Sequence, residues 1–358
     1  GVWIMAYTTI DDPSKYFQTD LYTGSGSAKT FDGNSDLQLD MVWIKARSTA
    51  ENARLADTSR GVGDGTNETK WLLPAENAAE EQSTEFASIG SDSFTLNTSD
   101  AKLNSGSHTY VAWAWKANGG TRTTNTESGN NPAGGYQANT TAGFSIVDYT
   151  GTGGAGTMAH GLGVVPQMII VKERDNTQSW YIYHHTLGNN AELYLNTDEA
   201  SASPAKWNST TPTSSVFSLA ANNSVNEDAT GYIAYCFAPI QGYSKFGKYT
   251  GNGNTDGVFV YLGFKPAFLL LKKYNSTADW QIRDNKRDSY NEDSDEILFA
   301  DLADSTTTST NNICDFLSNG FKLRGTGADH NGDGDTFIYV AFAEHPFVSS
   351  KGVPCTAR

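Results

Sequence analysis

Cysteine is scarce in this chain. There are three in 358 residues, Cys236, Cys314 and Cys355, and none forms a C-x-x-C pair. Their odd number and wide spacing exclude a disulfide framework and a cysteine-built metal site. Cys236 lies inside an apolar run and reads as a small buried hydrophobe. Positive charge is also short, with 25 Lys and Arg against 40 Asp and Glu, a formal net charge of −15. Such a surface repels phosphate, so nucleic acid is not an expected partner. No apolar run approaches the roughly 20 residues of a membrane helix, so no membrane insertion is expected. The apolar start Gly1–Tyr7 is too short for a signal-peptide core and has no basic flank, which favours synthesis and folding in a cytoplasm. Helical periodicity is missing from every window longer than about ten residues. Neither G-x-S-x-G nor H-E-x-x-H occurs, so no nucleophile or metal-hydrolase signature is present. No enzyme and no cofactor is expected.

What the chain does contain is a threefold repetition. Tyr-Thr-Gly occurs at Tyr22-Thr23-Gly24, Tyr149-Thr150-Gly151 and Tyr249-Thr250-Gly251. In each copy an apolar run ends in a lysine 23 positions after that tyrosine, at Lys45, Lys172 and Lys272. A Phe-x-Leu element follows at Phe94/Leu96, Phe217/Leu219 and Phe321/Leu323, and then a tyrosine-led strand at Tyr110, Tyr232 and Tyr339. Copies two and three share a tryptophan eight residues after the lysine, Trp180 and Trp280, where copy one has Ala53. The tyrosine-led strands alternate bulky residues (Val111, Trp113, Trp115) with small ones (Ala112, Ala114), the pattern of a strand packed on both faces.

Short strands, many Asn, Thr, Ser and Gly turns, and copies of about 100 residues predict an all-β protein. The expected architecture is three tandem antiparallel β-sandwich repeats, jelly-roll or lectin-like, each able to bury its own core. The divisions are an N-terminal arm at 1–20, repeat one at 21–120, a Gly/Asn/Thr-rich linker at 121–142, repeat two at 143–245, repeat three at 246–348 and a tail at 349–358. Asp12-Pro13 predicts a short helix over Pro13–Gln18, with Asp12 as N-cap and proline in the first turn.

Several segments invite a functional reading. Asp329, Asn331, Asp333 and Asp335 follow the alternate spacing of a calcium loop, with Gly334 at the turn. The twelfth position is Val340 rather than a bidentate Glu, so a plain Asn/Asp/Gly turn is the stronger expectation. Gly242–Lys248 matches a phosphate loop up to its final Ser/Thr, but Tyr249 stands there and no helix is expected to follow. His184-His185 could seed a metal site, yet adjacent strand residues point to opposite faces. Lys45, Lys172 and Lys272 are expected to mark where a core ends and to discourage wrong pairing. Trp71, Trp180, Trp207, Tyr181 and Tyr183 are expected in cores or interfaces rather than as sugar-stacking platforms. Function is expected where the repeat is least regular: Ala50–Gln82, Glu199–Ser215, Lys286–Asn312 and the arm.

The run Met5–Ser14, then Tyr16-Phe17-Gln18, Asn34–Gln38, Val42–Lys45 and Tyr110–Trp113, resembles an uncharacterised family of virion proteins from marine bacteriophages. So do Tyr149–Gly151, His160–Gly163, Pro166, Lys172 and Trp180–His184 in the second copy. The resemblance covers nearly the whole chain from Met5, and Gly1–Ile4 stand outside it. It implies a non-enzymatic virion component on the particle surface: a tail fibre, head fibre or capsid-decorating protein. The expected partners are copies of itself in a symmetric homo-oligomer such as a trimer, other virion proteins and host-surface glycans. Two rival readings remain open. One is a lectin-like receptor-binding module that gains strength from multiplicity. The other is a filament subunit assembled by strand addition through Val2, Trp3, Ile4 and Tyr7.

Overall fold

The computed structural model describes residues 7–27, 29–32, 37–61, 69–91, 93–97, 99–203, 206–288, 291 and 296–356. The protein is almost entirely β, built of several antiparallel sheets with no barrel. Three larger sheets repeat one strand order. In copy one an entry strand (Phe17–Thr23) pairs with a closing strand (Thr109–Trp115). That strand pairs with a lysine strand (Met41–Ala46), which pairs with a partner strand (Arg54–Asp57). Copy two uses Phe144–Thr150, Gly231–Phe237, Met168–Glu173 and Trp180–His184 in the same order. Copy three uses Ser244–Thr250, Thr336–Pro346, Phe264–Lys273 and Gln281–Asp284. The entry strand of copy one begins at Phe17, so it crosses the division placed at residues 20/21. The helix expected over Pro13–Gln18 is a single 3-10 turn, Pro13–Lys15, capped by the Asp12 carboxylate. The chain is already extended at Phe17 because that ring packs on Trp115 and Phe342.

The Gly/Asn/Thr-rich stretch is not a free linker. Its residues Thr123–Asn125 and Ala133–Asn139 extend the sheet of copy two beside Phe144–Thr150. Gly134 makes this approach possible, since a Cβ there would lie 2.1 Å from the Asp148 carbonyl oxygen.

The Tyr-Thr-Gly motif has a local physical cause. Each tyrosine hydroxyl donates to a main-chain carbonyl just before a buried asparagine: Tyr22 to Leu103 (2.8 Å), Tyr149 to Val225 (2.6 Å) and Tyr249 to His330 (2.7 Å). The asparagines, Asn104, Asn226 and Asn331, each accept from the main-chain N–H of the residue following the motif's glycine: Ser25, Thr152 and Asn252. The glycine itself sits where a Cβ would come within 2.2 Å of a carbonyl in each copy. Buried main-chain groups must be paired, and this clasp pairs them at one end of every copy.

The rings behind the motif fix the register of the closing strands. Tyr22 stacks on Tyr110, Tyr149 on Tyr232, and Tyr249 on Phe337. The third strand is therefore aligned on Phe337, two residues before the tyrosine that its sequence suggests. With this register Tyr339 occupies the small-residue position held by Ala112 and Ala234. Its cross-strand partner is Gly247, where copy two has Val147. One large residue and no side chain replace two of intermediate size, so the layer keeps its volume.

Each copy has a small-side core. In copies one and two, Phe94/Leu96 and Phe217/Leu219 from smaller sheets face Ala112/Ala114 and Ala234/Cys236. The bulky sides meet one another. Trp43, Trp113 and Trp115, Ile170, Tyr235 and Phe237, and Phe268, Leu270 and Phe342 belong to one continuous apolar core drawn from all three copies. Ring contacts join copy three to both of the others, as at Trp115–Phe268 (5.8 Å) and Phe237–Phe342 (5.9 Å). The expectation that each repeat buries its core alone covers only half of the packing.

Gly247→Val should destabilise the protein by about 1–3 kcal/mol, because the new side chain enters the space of the Tyr339 ring. Tyr339→Ala should cost about 3 kcal/mol or more through the cavity left behind. The double variant rebuilds the Val/Ala pair of copy two. Denaturant titration should show it more stable than the sum of the single losses.

Candidate functional site

The side chains whose placement is least explained by a single copy lie at the three junctions between copies. There the segments expected to carry function act as arms. Copy one reaches copy two with the Glu80 N–H donating to the Arg174 carbonyl (2.7 Å). Copy two reaches copy three with Ser201 N–H to Tyr274 (2.9 Å), and copy three reaches copy one with Thr306 N–H to Arg47 (2.8 Å). The acceptors lie two residues beyond the repeated lysines. The arms therefore run one to two, two to three and three to one, and close a ring.

The lysines fasten these arms. All three are fully buried. Lys45 Nζ donates to the Leu302 carbonyl of copy three (2.6 Å). Lys272 Nζ donates to Asp198 of copy two (2.7 Å), and Lys172 Nζ lies 3.5 Å from Asn77 of copy one and 2.7 Å from the Glu173 carbonyl. They do not end a core at solvent, as their sequence position suggests. They reach through the apolar layer to main-chain oxygens of a neighbour. Burial pulls each ammonium from 10.5 down to about 8. Trp180 and Trp280 reinforce two of the junctions, with indole N–H groups donating to Leu73 (3.0 Å) and Tyr194 (2.7 Å). Ala53 leaves the closing junction without that bond.

Two junctions also hold a hidden ion pair. Asp57 Oδ2 accepts from Arg60 Nε (2.6 Å) and from the Tyr235 hydroxyl of copy two (2.7 Å). Asp284 Oδ2 accepts from Arg287 Nε (2.6 Å) and from Trp113 Nε1 of copy one (3.2 Å). All four charged side chains are wholly out of solvent. Such pairs are tolerated only when nearly every polar atom is matched, and here the main chain and a neighbour's aromatic donor match most of them, with Arg287 Nη1 left over. In copy two, His184 and Leu187 stand at the corresponding positions in sequence. Burial holds His184 down to about 3, so it is neutral. Asp57, Arg60, Asp284 and Arg287 were not anticipated, although Asp-x-x-Arg recurs twelve residues after the lysine in copies one and three.

One carboxyl stands out. Asp301 accepts the Trp280 N–H through Oδ1 (3.0 Å), while Oδ2 is buried without a partner. Burial, then the charge of Asp279, pushes it up to about 7. Asn196 takes the same place in copy two, accepting from the Trp180 N–H (2.9 Å).

The other sequence candidates do not converge on chemistry. Asn331 is committed to the Tyr-Thr-Gly clasp, donating to Asn252, Asn254 and Gly325. Asp335 pairs with Lys273 (3.4 Å) and Asn275 (3.1 Å), while Asp329 and Asp333 face solvent. Among the described residues no group of three or more His, Cys, Asp and Glu could hold a metal ion. The segment Gly242–Lys248 enters strand Ser244–Thr250 and forms no phosphate loop. The His184 and His185 rings lie 5.2 Å apart, closer than opposite faces would allow, because the strand ends at His184. His185 Nε2 donates to the Phe246 carbonyl (3.1 Å). Trp71, Trp180, Trp207, Tyr181 and Tyr183 are core residues. Cys236 is buried and free, and Cys314 and Cys355 are also free. Val2, Trp3 and Ile4 lie outside the described residues. Tyr7 donates to the Gly263 carbonyl of its own chain (2.8 Å).

The concavities follow the junctions. A cavity of about 30 Å³ lies where the three bulky sheet faces meet, lined wholly by apolar side chains such as Trp43, Met168 and Phe342. A polar cleft of about 280 Å³ separates the entry strand of copy one from copy three, with Asp12, Asp20, Lys286 and Glu344 on its walls. Neither holds an assembled nucleophile and base.

The junction chemistry gives two expected outcomes. Between pH 8 and 9 the unfolded chain keeps its lysines protonated, while Lys45, Lys172 and Lys272 lose protons in the folded protein. Stability should therefore rise with pH in this window, by up to about 1.4 kcal/mol per pH unit for each lysine, and the gain is lost as pH falls through 8. Lys272→Met should flatten the slope measured by urea unfolding at fixed pH values. Asp57→Ala should cost about 3–5 kcal/mol, because the buried Arg60 keeps only Glu80 (3.2 Å) as a carboxylate partner and the Tyr235 hydroxyl loses its acceptor, and Asp57→Leu with Arg60→Leu should cost less than that single change.

A family model described as Domain of unknown function (DUF7483) matches residues 12–346. No curated protein matches the chain. The matched span runs from the first helical turn to the end of the last strand and takes in all three copies as one unit. The chain belongs to the family of the domain of unknown function DUF7483.

Proposed function

We propose that the protein is a non-enzymatic structural component of a particle surface, in the manner of a bacteriophage tail fibre, head fibre or capsid-decorating protein. The observation that supports this reading is the closed ring of arms. Each copy uses its bulky sheet face and its lysine to hold the one before it, and the first copy holds the last. One chain thus has the arrangement of a compact trimer without the concentration dependence of a trimer.

The buried polar groups fit the same reading. Lys45, Lys172, Lys272, Asp57 and Asp284 each share a hydrogen bond with a neighbouring copy, and Arg60 and Arg287 neutralise the two aspartates from within their own copies. Charged side chains placed for catalysis would face a cleft and a substrate. The acidic surface suits a component displayed at high density, because like charge keeps copies soluble before assembly. The resemblance to marine bacteriophage virion proteins points the same way. Further copies of the chain and other virion proteins are the partners this reading assigns.

Mass spectrometry of density-purified particles, from a culture whose virus encodes this chain, tests the proposal. The chain should be among the abundant particle constituents and should stay with particles through high-salt washing. Its presence only in the soluble lysate would overturn the proposal.

A further inference from the structure

Copy three departs from the repeat at one exposed place. In its smaller sheet, strand Phe259–Tyr261 is aligned on Val260, which pairs with Phe321. The same alignment places Met158 opposite Phe217 and Phe31 opposite Phe94. The two outward positions are then Thr157 and Ala159 in copy two, and Phe259 and Tyr261 in copy three. Copy two builds the fold with small or polar residues there, so the fold does not require aromatics. Phe259 is nevertheless 44% exposed and Tyr261 48% exposed. They sit two apart on one strand, and so share a face with a spacing of roughly 7 Å.

The second ring is held in place. Lys245 Nζ donates to the Tyr261 carbonyl (2.6 Å) and lies 5.3 Å from the ring centroid. The Tyr7 hydroxyl lies 3.3 Å from the Tyr261 hydroxyl. Beside Phe259, its cross-strand neighbour Lys322 pairs with the exposed Asp256 carboxylate at 2.7 Å. A flat apolar surface is thus bordered by a hydroxyl, an ammonium and a carboxylate. That combination suits a pyranose, whose C–H face stacks on an aromatic ring while its hydroxyls both donate and accept. The area argues against a protein partner. Two half-exposed rings offer roughly 200 Å² on the 150–250 Å² scale of an aromatic side chain. A stable protein interface uses about 800 Å² per partner.

We propose that the outer face of strand Phe259–Tyr261 is a binding platform for neutral sugar residues, with Phe259 and Tyr261 as stacking surfaces and Asp256 and Lys322 as hydroxyl partners. The platform is weak in one chain, and display of many chains on one particle multiplies it. It does not depend on where in a particle the protein sits. A failure of the particle test would leave it standing, and a failure here would leave the structural reading standing.

The test uses the full chain and three probes: cellotetraose, maltotetraose and mannotetraose. Saturation-transfer NMR should show magnetisation passing from protein aromatic protons to the C–H protons of at least one probe at millimolar concentration. Phe259→Thr with Tyr261→Ala installs the residues of copy two, so circular dichroism and Tm should match the parent. The transfer should fall at least tenfold in that variant. Asp256→Ala should weaken binding severalfold without touching either ring. Absence of transfer to all three probes in the parent protein, or transfer unchanged in the double variant, would overturn the proposal. Sedimentation velocity covers the remaining occupant. Concentration-dependent self-association that the double variant abolishes, with no sugar effect, would assign the patch to a second copy and overturn the sugar assignment.

Discussion

The structure depends on one interaction made three times: a lysine at the end of an apolar strand that crosses the protein interior to hold the arm of the neighbouring copy. An ammonium taken out of water must find acceptors, and main-chain carbonyls of Leu302, Asn77 and Asp198 are set where the three side chains end. Each arm in return gives a main-chain N–H to the residue two beyond the lysine. Each lysine also has one carbonyl of its own copy, at Glu51, Glu173 or Ala278, so the neighbour's carbonyl completes its set. A copy alone would lose that acceptor and expose a face of tryptophan, tyrosine and phenylalanine, so the copies are interdependent for polar as well as apolar reasons.

The three junctions are not equal. Two carry an Asp–Arg pair with an aromatic donor from the next copy, and the third carries a neutral His184 in the place of the aspartate. A paired charge is unforgiving of misplacement, because a shifted partner leaves a buried ion. A neutral histidine tolerates small shifts. The copy-two to copy-three junction is held instead by Lys272 Nζ on Asp198, Trp280 Nε1 on Tyr194 and His185 Nε2 on Phe246.

Much of the architecture was legible in the residues. The spacing from Tyr-Thr-Gly to lysine marks the entry and lysine strands, and the alternation of Trp113 and Trp115 with Ala112 and Ala114 marks a strand covered on both faces. Two things were not legible. A buried lysine and a lysine at a strand end look identical in sequence, since only the position of distant carbonyls distinguishes them. The register of the third closing strand was misread because Tyr339 resembles Tyr110 and Tyr232, while the true equivalent is a phenylalanine that keeps the stacking ring and drops the hydroxyl. The arms meet the lysines through main-chain groups, which place little demand on side-chain identity, so their sequences can diverge without losing that contact. The exposed pair Phe259 and Tyr261 could have been found by aligning the smaller-sheet strands on Val260, Met158 and Phe31.

The central claim is that three copies form one cooperative body rather than three domains in a row. Scanning calorimetry of the intact chain tests it most directly. The account predicts a single transition whose calorimetric enthalpy equals its van't Hoff enthalpy, because no copy can keep its core once a neighbour's arm and sheet face are lost. Two or three resolved transitions, or a calorimetric enthalpy two to three times the van't Hoff value, would contradict it.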